Sequence, residues 1–389
     1  MAARDLDIIV YGATGFTGRL VAEYLAHHYK GRKDAPKWAM AGRSLAKLAE
    51  VRDLIGADEE TPLVVADASD PASLDAMAAS TKVVLTTVGP YQLYGGELVA
   101  ACVRAGTAYA DLCGEPGWMR EMIDTHQDAA KASGARITFS CGFDSIPFDL
   151  GVLFLQAEAV KRHGKPAPRV KGRVRKMKGG ASGGTVASLT ETMKAIAKKP
   201  SLALLLKSSF ALTPGFEGPS QPTGLIPEYD SATGTWTAPF VMAPINTKNV
   251  HRTNFLLDHA WGADLVYDEM LMTTPGDAGQ AMAEAIAKAS PFGEKPPEPG
   301  EGPSKEQREK GFYDILFIGE YPDGTAIRAS VQGDGDPGYA STSKMIAETA
   351  MALLATDGEG GVWTPGALLG DTLIERLTTE AGLRFQIES

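Results

Sequence analysis

Apolar and polar positions along this chain switch repeatedly between two periods. Residues 7–11 form a short apolar run of buried-strand character. Residues 16–29 then place Leu20, Val21, Tyr24 and Leu25 at helical spacing. The alternation continues with strands at 38–41, 63–66, 83–87, 109–112 and 137–140. Helices are predicted at 45–55, from Asp70 with Pro71 in its first turn, at 97–105 before Gly106, and at 119–133 before Gly134. This rhythm predicts an α/β fold with a Rossmann-type, doubly wound parallel sheet over residues 1–147.

The rhythm breaks after Leu150. Strands are predicted at 170–177 and 265–272, and helices at 185–198 and 277–289. The Gly/Pro-rich stretch 214–244 reads as irregular, and 291–305 as a mobile loop. Strands 313–321 and 325–332 flank Pro322-Asp323-Gly324 as a hairpin. The expectation is a second, mixed α+β domain over 148–338 for substrate and dimer contacts. Helices over 339–389 would return to the first domain, beginning with one at 341–355. The tail from Trp363 ends in a short helix and one more possible strand.

Composition narrows the function. The 389 residues carry a net charge of -10, which argues against nucleic acid as a partner. Three cysteines without a CxxC pair fit a reducing cytoplasm, and no signal peptide or spanning stretch is apparent. The short run 202–206 reads as a buried helix turn or a membrane-surface contact. No histidine motif suggests a metal site.

The chemistry begins at Gly12-Ala13-Thr14-Gly15-Phe16-Thr17-Gly18, between the first strand and first helix. Glycines here permit a tight turn, a close pyrophosphate and helix–sheet contact, and the helix amides hold negative charge. The second strand ends in Arg43 and Ser44, with Lys47 one turn later, where an NAD site would place an acid. A guanidinium there suits a 2′-phosphate, so the cofactor expected is NADP(H). Asp67 lies near the adenine or caps the next turn. Gly89 and Pro90 end the fourth strand, and Gly89 lets the dinucleotide pass close. Tyr91 lines the nicotinamide pocket or is a core aromatic. Glu115, Asp144 and Ser145 end the fifth and sixth strands and are candidates for orienting substrate or donating protons; Asp144 and Ser145 could equally cap a helix.

Other features stay open. The TyrxxxLys at Tyr29–Lys33 falls on the wrong side of the sheet for catalysis. His251-Arg252 reads as a surface pair or a contact to an acidic substrate. Arg169, Lys171, Arg173 and Arg175 recur at period two, giving a cationic strand face that is either solvated or meets an anionic partner. Such a partner could be CoA, a carrier protein's phosphopantetheine or a lipid headgroup. Ser182-Gly183-Gly184-Thr185 offers amides before a helix.

The motifs GATGFTG, AGRSLAKL, TVGPYQLYGGELVAACVRAGTAYADLCGE and CGFDSIPFDLG resemble the saccharopine dehydrogenase-like oxidoreductases, most of all the trans-acting enoyl reductase branch. The likeness runs on through SGGT, WTAPFVMA, DPGY and GGVWTP. It implies an NADP-binding domain using Gly12, Gly15, Gly18 and Arg43, and a cleft bordered by the Glu115 and Asp144-Ser145 region. It further implies a homodimer and reduction of a double bond in lipid or polyketide precursors on a partner synthase. The basic set that binds two amino-acid carboxylates in saccharopine-forming enzymes has no counterpart here. Three functions follow: a cytoplasmic NADPH-dependent reductase of an acyl-type substrate, peripheral to a membrane or served by a carrier protein; an amino-acid (C=N) dehydrogenase; and a non-catalytic NADP-binding or lipid-associated scaffold.

Overall fold

A computed structural model of the chain describes residues 4–180, 183–289 and 300–388. The first half builds β1 (Leu6–Tyr11), β2 (Trp38–Gly42), β3 (Leu63–Val65), β4 (Thr81–Thr86), β5 (Ala108–Ala110) and β6 (Arg136–Thr138). All run parallel in the order β3-β2-β1-β4-β5-β6, the Rossmann arrangement. The intervening helices are α1 (Phe16–His28), α2 (Leu45–Leu54), α3 (Pro71–Ala79), α4 (Tyr91–Tyr94), α5 (Gly96–Ala105) and α6 (Pro116–Ser133). Strand β1 shows why the sheet is doubly covered. Ile8 and Val10 join one buried cluster and Ile9 and Tyr11 another, so both faces need a layer of helices.

Helix α7 (Ile146–His163) carries the chain to a second sheet, and Gly151 lets it lie against the Phe317 ring. That sheet contains β7 (Arg169–Lys178), β8 (Glu228–Asp230), β9 (Thr235–Pro239), β10 (Val266–Met272), β11 (Phe312–Glu320) and β12 (Ala326–Asp334). Only β7 and β10 pair in parallel there, so it is mixed. Helices α8 (Gly183–Lys198), α9 (Pro200–Lys207), α10 (Ala243–Leu256), α11 (Gly276–Lys288) and α12 (Lys305–Glu309) accompany it. A π-helical turn at Pro337–Ser341 leads into α13 (Thr342–Ala355), then β13 (Gly361–Trp363), α14 (Pro365–Thr379) and β14 (Arg384–Glu388).

Three sequence expectations change. The stretch read as irregular holds β8 and β9 and leads into α10. Helix α10 escapes a periodicity search because Asn246, Lys248, Asn249, His251, Arg252, Thr253 and Asn254 are all buried, leaving no apolar stripe. The chain after residue 338 divides between the two sheets: β13 adds a seventh parallel strand beside β6, while β14 pairs with β12. Residues 202–206 are not a buried turn, since Leu204 is 70% exposed. Of the loop expected at 291–305, residues 291–299 lie outside the described residues. No described helix is long and apolar enough to cross a membrane.

Candidate active site

The turn between β1 and α1 is built around two obligatory glycines. Gly12 has φ +89°, and a Cβ there would sit 2.7 Å from Val88 Cγ2. At Gly18 a Cβ would stand 2.1 Å from the Gly12 carbonyl oxygen, so only glycine lets α1 start this close to the strand. Gly15 is the exposed N-cap of α1, with no side chain capping it and no acid in the first turn. Bare amides and the helix dipole thus face outward, as a pyrophosphate requires. Thr14 is exposed beside them, whereas Ala13 is buried in the core. The Phe16 ring meets Tyr339 edge-on at 5.2 Å, with Arg308 5.6 Å from its centroid, so it ties the turn to the second half of the chain.

At the end of β2, Arg43 is exposed and has no ion-pair partner among the described residues. Ser44 caps α2 by accepting the Lys47 N–H (3.4 Å), and the Lys47 side chain is exposed one turn on. Asp67 closes its own turn, accepting the Ser69 N–H (2.9 Å) and hydroxyl (2.8 Å). Those bonds, with Arg43 nearby, hold its carboxyl below the usual carboxylate range. Residues 12–18, Arg43, Ser44 and Lys47 thus share one rim. A glycine cradle, uncapped amides and a free guanidinium fit a dinucleotide with a 2′-phosphate.

A cleft of about 380 Å³ opens at the carboxyl ends of β4, β5 and β6, where such sheets hold their ligands. Thr17, Thr87 and Gly89 border it, the last joined to Pro90 by a cis peptide. Leu112, Pro116, Leu206, Val241, Met242 and Ile245 make its lining mainly apolar. Ser140 also faces it with φ +61°, an uncommon conformation for a residue with a side chain. Its hydroxyl donates to the Cys113 carbonyl (2.6 Å).

The four candidates for chemistry separate here. The buried Tyr91 hydroxyl donates to the Thr86 carbonyl (3.3 Å) and accepts the Leu112 N–H (3.1 Å). Burial and neighbouring acids push its pKa well up, so this ring lines the cleft without a proton to give. Glu115 is likewise spent, because its two oxygens accept the Tyr91 and Gln92 N–H groups at 2.9 Å. Ser145 is buried, donating to Asn246 Oδ1 (3.2 Å) and accepting from Asn249 Nδ2 (2.8 Å). Asp144 differs. It lines the cleft, has no hydrogen-bond partner among the described residues, and burial raises its pKa to about 6.

Two groups carried no sequence signal. Asp111 lies beneath the cleft and accepts the N–H groups of Cys113 (2.9 Å) and Ser140 (3.0 Å). Burial pushes it to about 7. Lys248 of α10 lines the cleft at 4% exposure, and burial lowers its pKa to about 8. Nothing local marks it, since its burial depends on α10 being enclosed by both halves of the chain.

Other expectations are corrected. His251 and Arg252 are not a surface pair: His251 packs on Phe210 at 4.5 Å, and Arg252 donates to the carbonyls of Leu212 and Val362 at 2.6 Å. The cationic face of β7 is neither solvated nor free. Arg169 pairs with Asp268; Lys171 with Asp230 (3.1 Å) and Glu320 (3.0 Å); Arg173 with Asp230 (2.6 Å) and Asp268 (2.8 Å); and Arg175 with Asp314 (2.7 Å) and Glu388 (2.6 Å). Acids from neighbouring elements, invisible to strand periodicity, neutralise it. Of Ser182-Gly183-Gly184-Thr185, Ser182 lies outside the described residues and Gly183 opens α8. The described residues contain no cluster of three His, Cys, Asp or Glu side chains able to hold a metal.

Sheet, turn and cleft together define an NADP-dependent oxidoreductase. Residues 8–137 match the family model of the saccharopine dehydrogenase NADP-binding domain. A Mycobacterium tuberculosis protein named as a candidate trans-acting enoyl reductase is 41% identical, across 98% of this chain and 97% of its own. The trans-acting enoyl reductase of Mycobacterium ulcerans is 38% identical, across 97% of this chain and 96% of its own. Among solved structures, the L-glutamate-forming saccharopine dehydrogenase of Saccharomyces cerevisiae shares the fold, with a TM-score of 0.55 at 11% identity over 99% of this chain and all of that one. The chain belongs to the saccharopine dehydrogenase-like oxidoreductases, in the group that contains the trans-acting enoyl reductases.

Proposed function

We propose that this enzyme reduces an activated C=C bond of an acyl-type substrate in the cleft beside α1. NADPH, when bound, supplies hydride. Gly12, Gly15, Gly18 and the α1 amides hold its pyrophosphate, and Arg43, Ser44 and Lys47 read its 2′-phosphate. Asp144 donates the proton, because a carboxyl titrating near 6 is still partly protonated near neutrality. Tyr91 and Glu115 shape the wall, and Ser145 anchors the turn that carries Asp144. The observation that carries the reading is the lining itself: mainly apolar, with Lys248 the one cationic side chain among the described residues that form it. An amino-acid dehydrogenase needs cations for the carboxylates of two substrates, and a single lysine does not supply that set, so this lining favours the acyl reading over the C=N reading.

The proposal extends to delivery and assembly. Val241 and α9, through Leu206, border the cleft, and α9 also exposes Leu204 beside the exposed Lys198, Lys199 and Lys207, which suits acyl chains arriving from a carrier protein or a membrane surface. The resemblance supports a homodimer, and the buried free thiols of Cys102, Cys113 and Cys141 suit the cytoplasm. The test is NADPH consumption with α,β-unsaturated acyl thioesters, set against lysine plus a 2-oxo acid. Turnover of the thioesters alone is expected. Turnover of the amino-acid pair alone would replace this reading, and NADPH binding with no turnover of either would favour a scaffold. Light scattering should give twice the 41.1 kDa chain mass.

A further inference from the structure

A primary ammonium enclosed in apolar surroundings is costly unless something neutralises it. Lys248 is such a group, in a cleft wall shared with Met242, Ile245 and Leu112. Its Nζ donates to the Pro244 carbonyl one helical turn back (2.8 Å). Neither carboxylate nor second acceptor takes its remaining hydrogens among the described residues. His251 on the same helix adds no second positive charge, because burial and Lys248 itself push its pKa down to about 3 and keep the ring neutral, and an imidazole could balance no ammonium in any case. The ammonium is therefore unneutralised and borders the same cavity as Asp144.

We propose that Lys248 receives the carbonyl oxygen of an α,β-unsaturated acyl substrate and holds the negative charge that develops there during reduction. The inference rests on the acyl-reductase reading. Hydride addition at the β-carbon moves the double-bond pair between Cα and the carbonyl carbon, and the carbonyl pair onto oxygen. Lys248 donates a charge-assisted hydrogen bond to that oxyanion and forms no covalent bond. Protonation at Cα by Asp144 returns the pair and restores the carbonyl, so two electrons and two hydrogens are gained. A fixed cation in a dry site acts most strongly where charge appears, in the transition state rather than the ground state. The substrate class it selects is a conjugated thioester, ester or ketone, as an isolated alkene offers no such oxygen.

The test compares wild type with Lys248→Met and Lys248→Arg. NADPH affinity and the affinity for a saturated acyl thioester are measured by titration calorimetry, and kcat and KM by NADPH consumption. Lys248→Met should lose on the order of 100-fold in kcat. Both affinities should stay within about threefold, since ground-state binding is not what Lys248 supplies. Lys248→Arg should recover part of the loss, and it keeps the test readable if the Met variant does not fold. In wild-type protein with lysines reductively 13C-methylated, one resonance absent from Lys248→Arg should shift on adding the saturated thioester. Unchanged kcat in Lys248→Met overturns the inference, as does a loss confined to KM, which marks a ground-state contact, or an equal loss of NADPH affinity. Wild type that turns over no conjugated carbonyl substrate sinks the parent reading instead.

Discussion

Arg43→Ala isolates the contact that should distinguish the two nicotinamide cofactors. The side chain is exposed at the end of β2, and no hydrogen bond or ion pair holds it among the described residues. Its removal should therefore leave the melting temperature nearly unchanged, costing only a weak attraction to Asp67. Two unit charges about 4 Å apart attract by about 1 kcal/mol in water, and the exposure of Arg43 makes the water value the appropriate one. A 2′-phosphate carries about 1.5 to 2 charges near neutrality, so the variant should lose about 1.5 to 2 kcal/mol of NADPH affinity. That is roughly a 10- to 30-fold rise in Kd. NADH has no 2′-phosphate, and its Kd should hold. The assay is fluorescence titration of both cofactors at low and high salt, with the preference shrinking as salt screens the contact. Equal losses for NADPH and NADH, or no loss at all, would refute the placement of the phosphate at Arg43.

Asp144→Asn should lower the reduction rate at least tenfold without moving NADPH affinity, measured by steady-state kinetics. An acid must be protonated to donate, so the wild-type rate should fall as pH rises through about 6, and the variant should lack that limb. Gly18→Ala drives a Cβ to 2.1 Å from a backbone oxygen that cannot move without displacing β1 or α1. It should cost at least about 2 kcal/mol in urea unfolding and abolish cofactor binding. Glu348 is buried on α13, where its carboxylate accepts from Tyr24 (2.8 Å), Tyr29 (2.6 Å) and Arg376 (2.7 Å). Glu348→Ala removes the carboxylate that pairs with Arg376 and takes both hydroxyls, leaving Arg376 only the Tyr29 hydroxyl (2.7 Å) and Tyr24 only the Glu380 carbonyl (3.3 Å), so a loss of about 3 kcal/mol is expected in the same assay. A neutral outcome there would show that the remaining contacts, the Glu380 pairs with His28 and Arg32 among them, suffice to hold α13 and α14 to α1.

The sequence by itself determined the parallel sheet, because strands buried on both faces read as unbroken apolar runs and their helices as 3.6-residue stripes. It also determined the dinucleotide turn, where Gly12 and Gly18 answer to local backbone geometry, and it placed Arg43 at the end of β2 by counting. Those properties belong to a residue and its near neighbours along the chain. The tertiary structure decided which polar side chains remain free. Tyr91, Glu115 and Ser145 ended on the same rim as Asp144, yet each is taken up by partners 5 to 104 residues away. The cations of β7 were equally legible and equally misleading, since acids on β8, β10, β11 and β14 neutralise them. Lys248 was invisible for the converse reason. A lysine on a polar helix reads as solvated until both halves of the chain close around it, and desolvation, which no local pattern encodes, turns an ordinary ammonium into a group poised for chemistry.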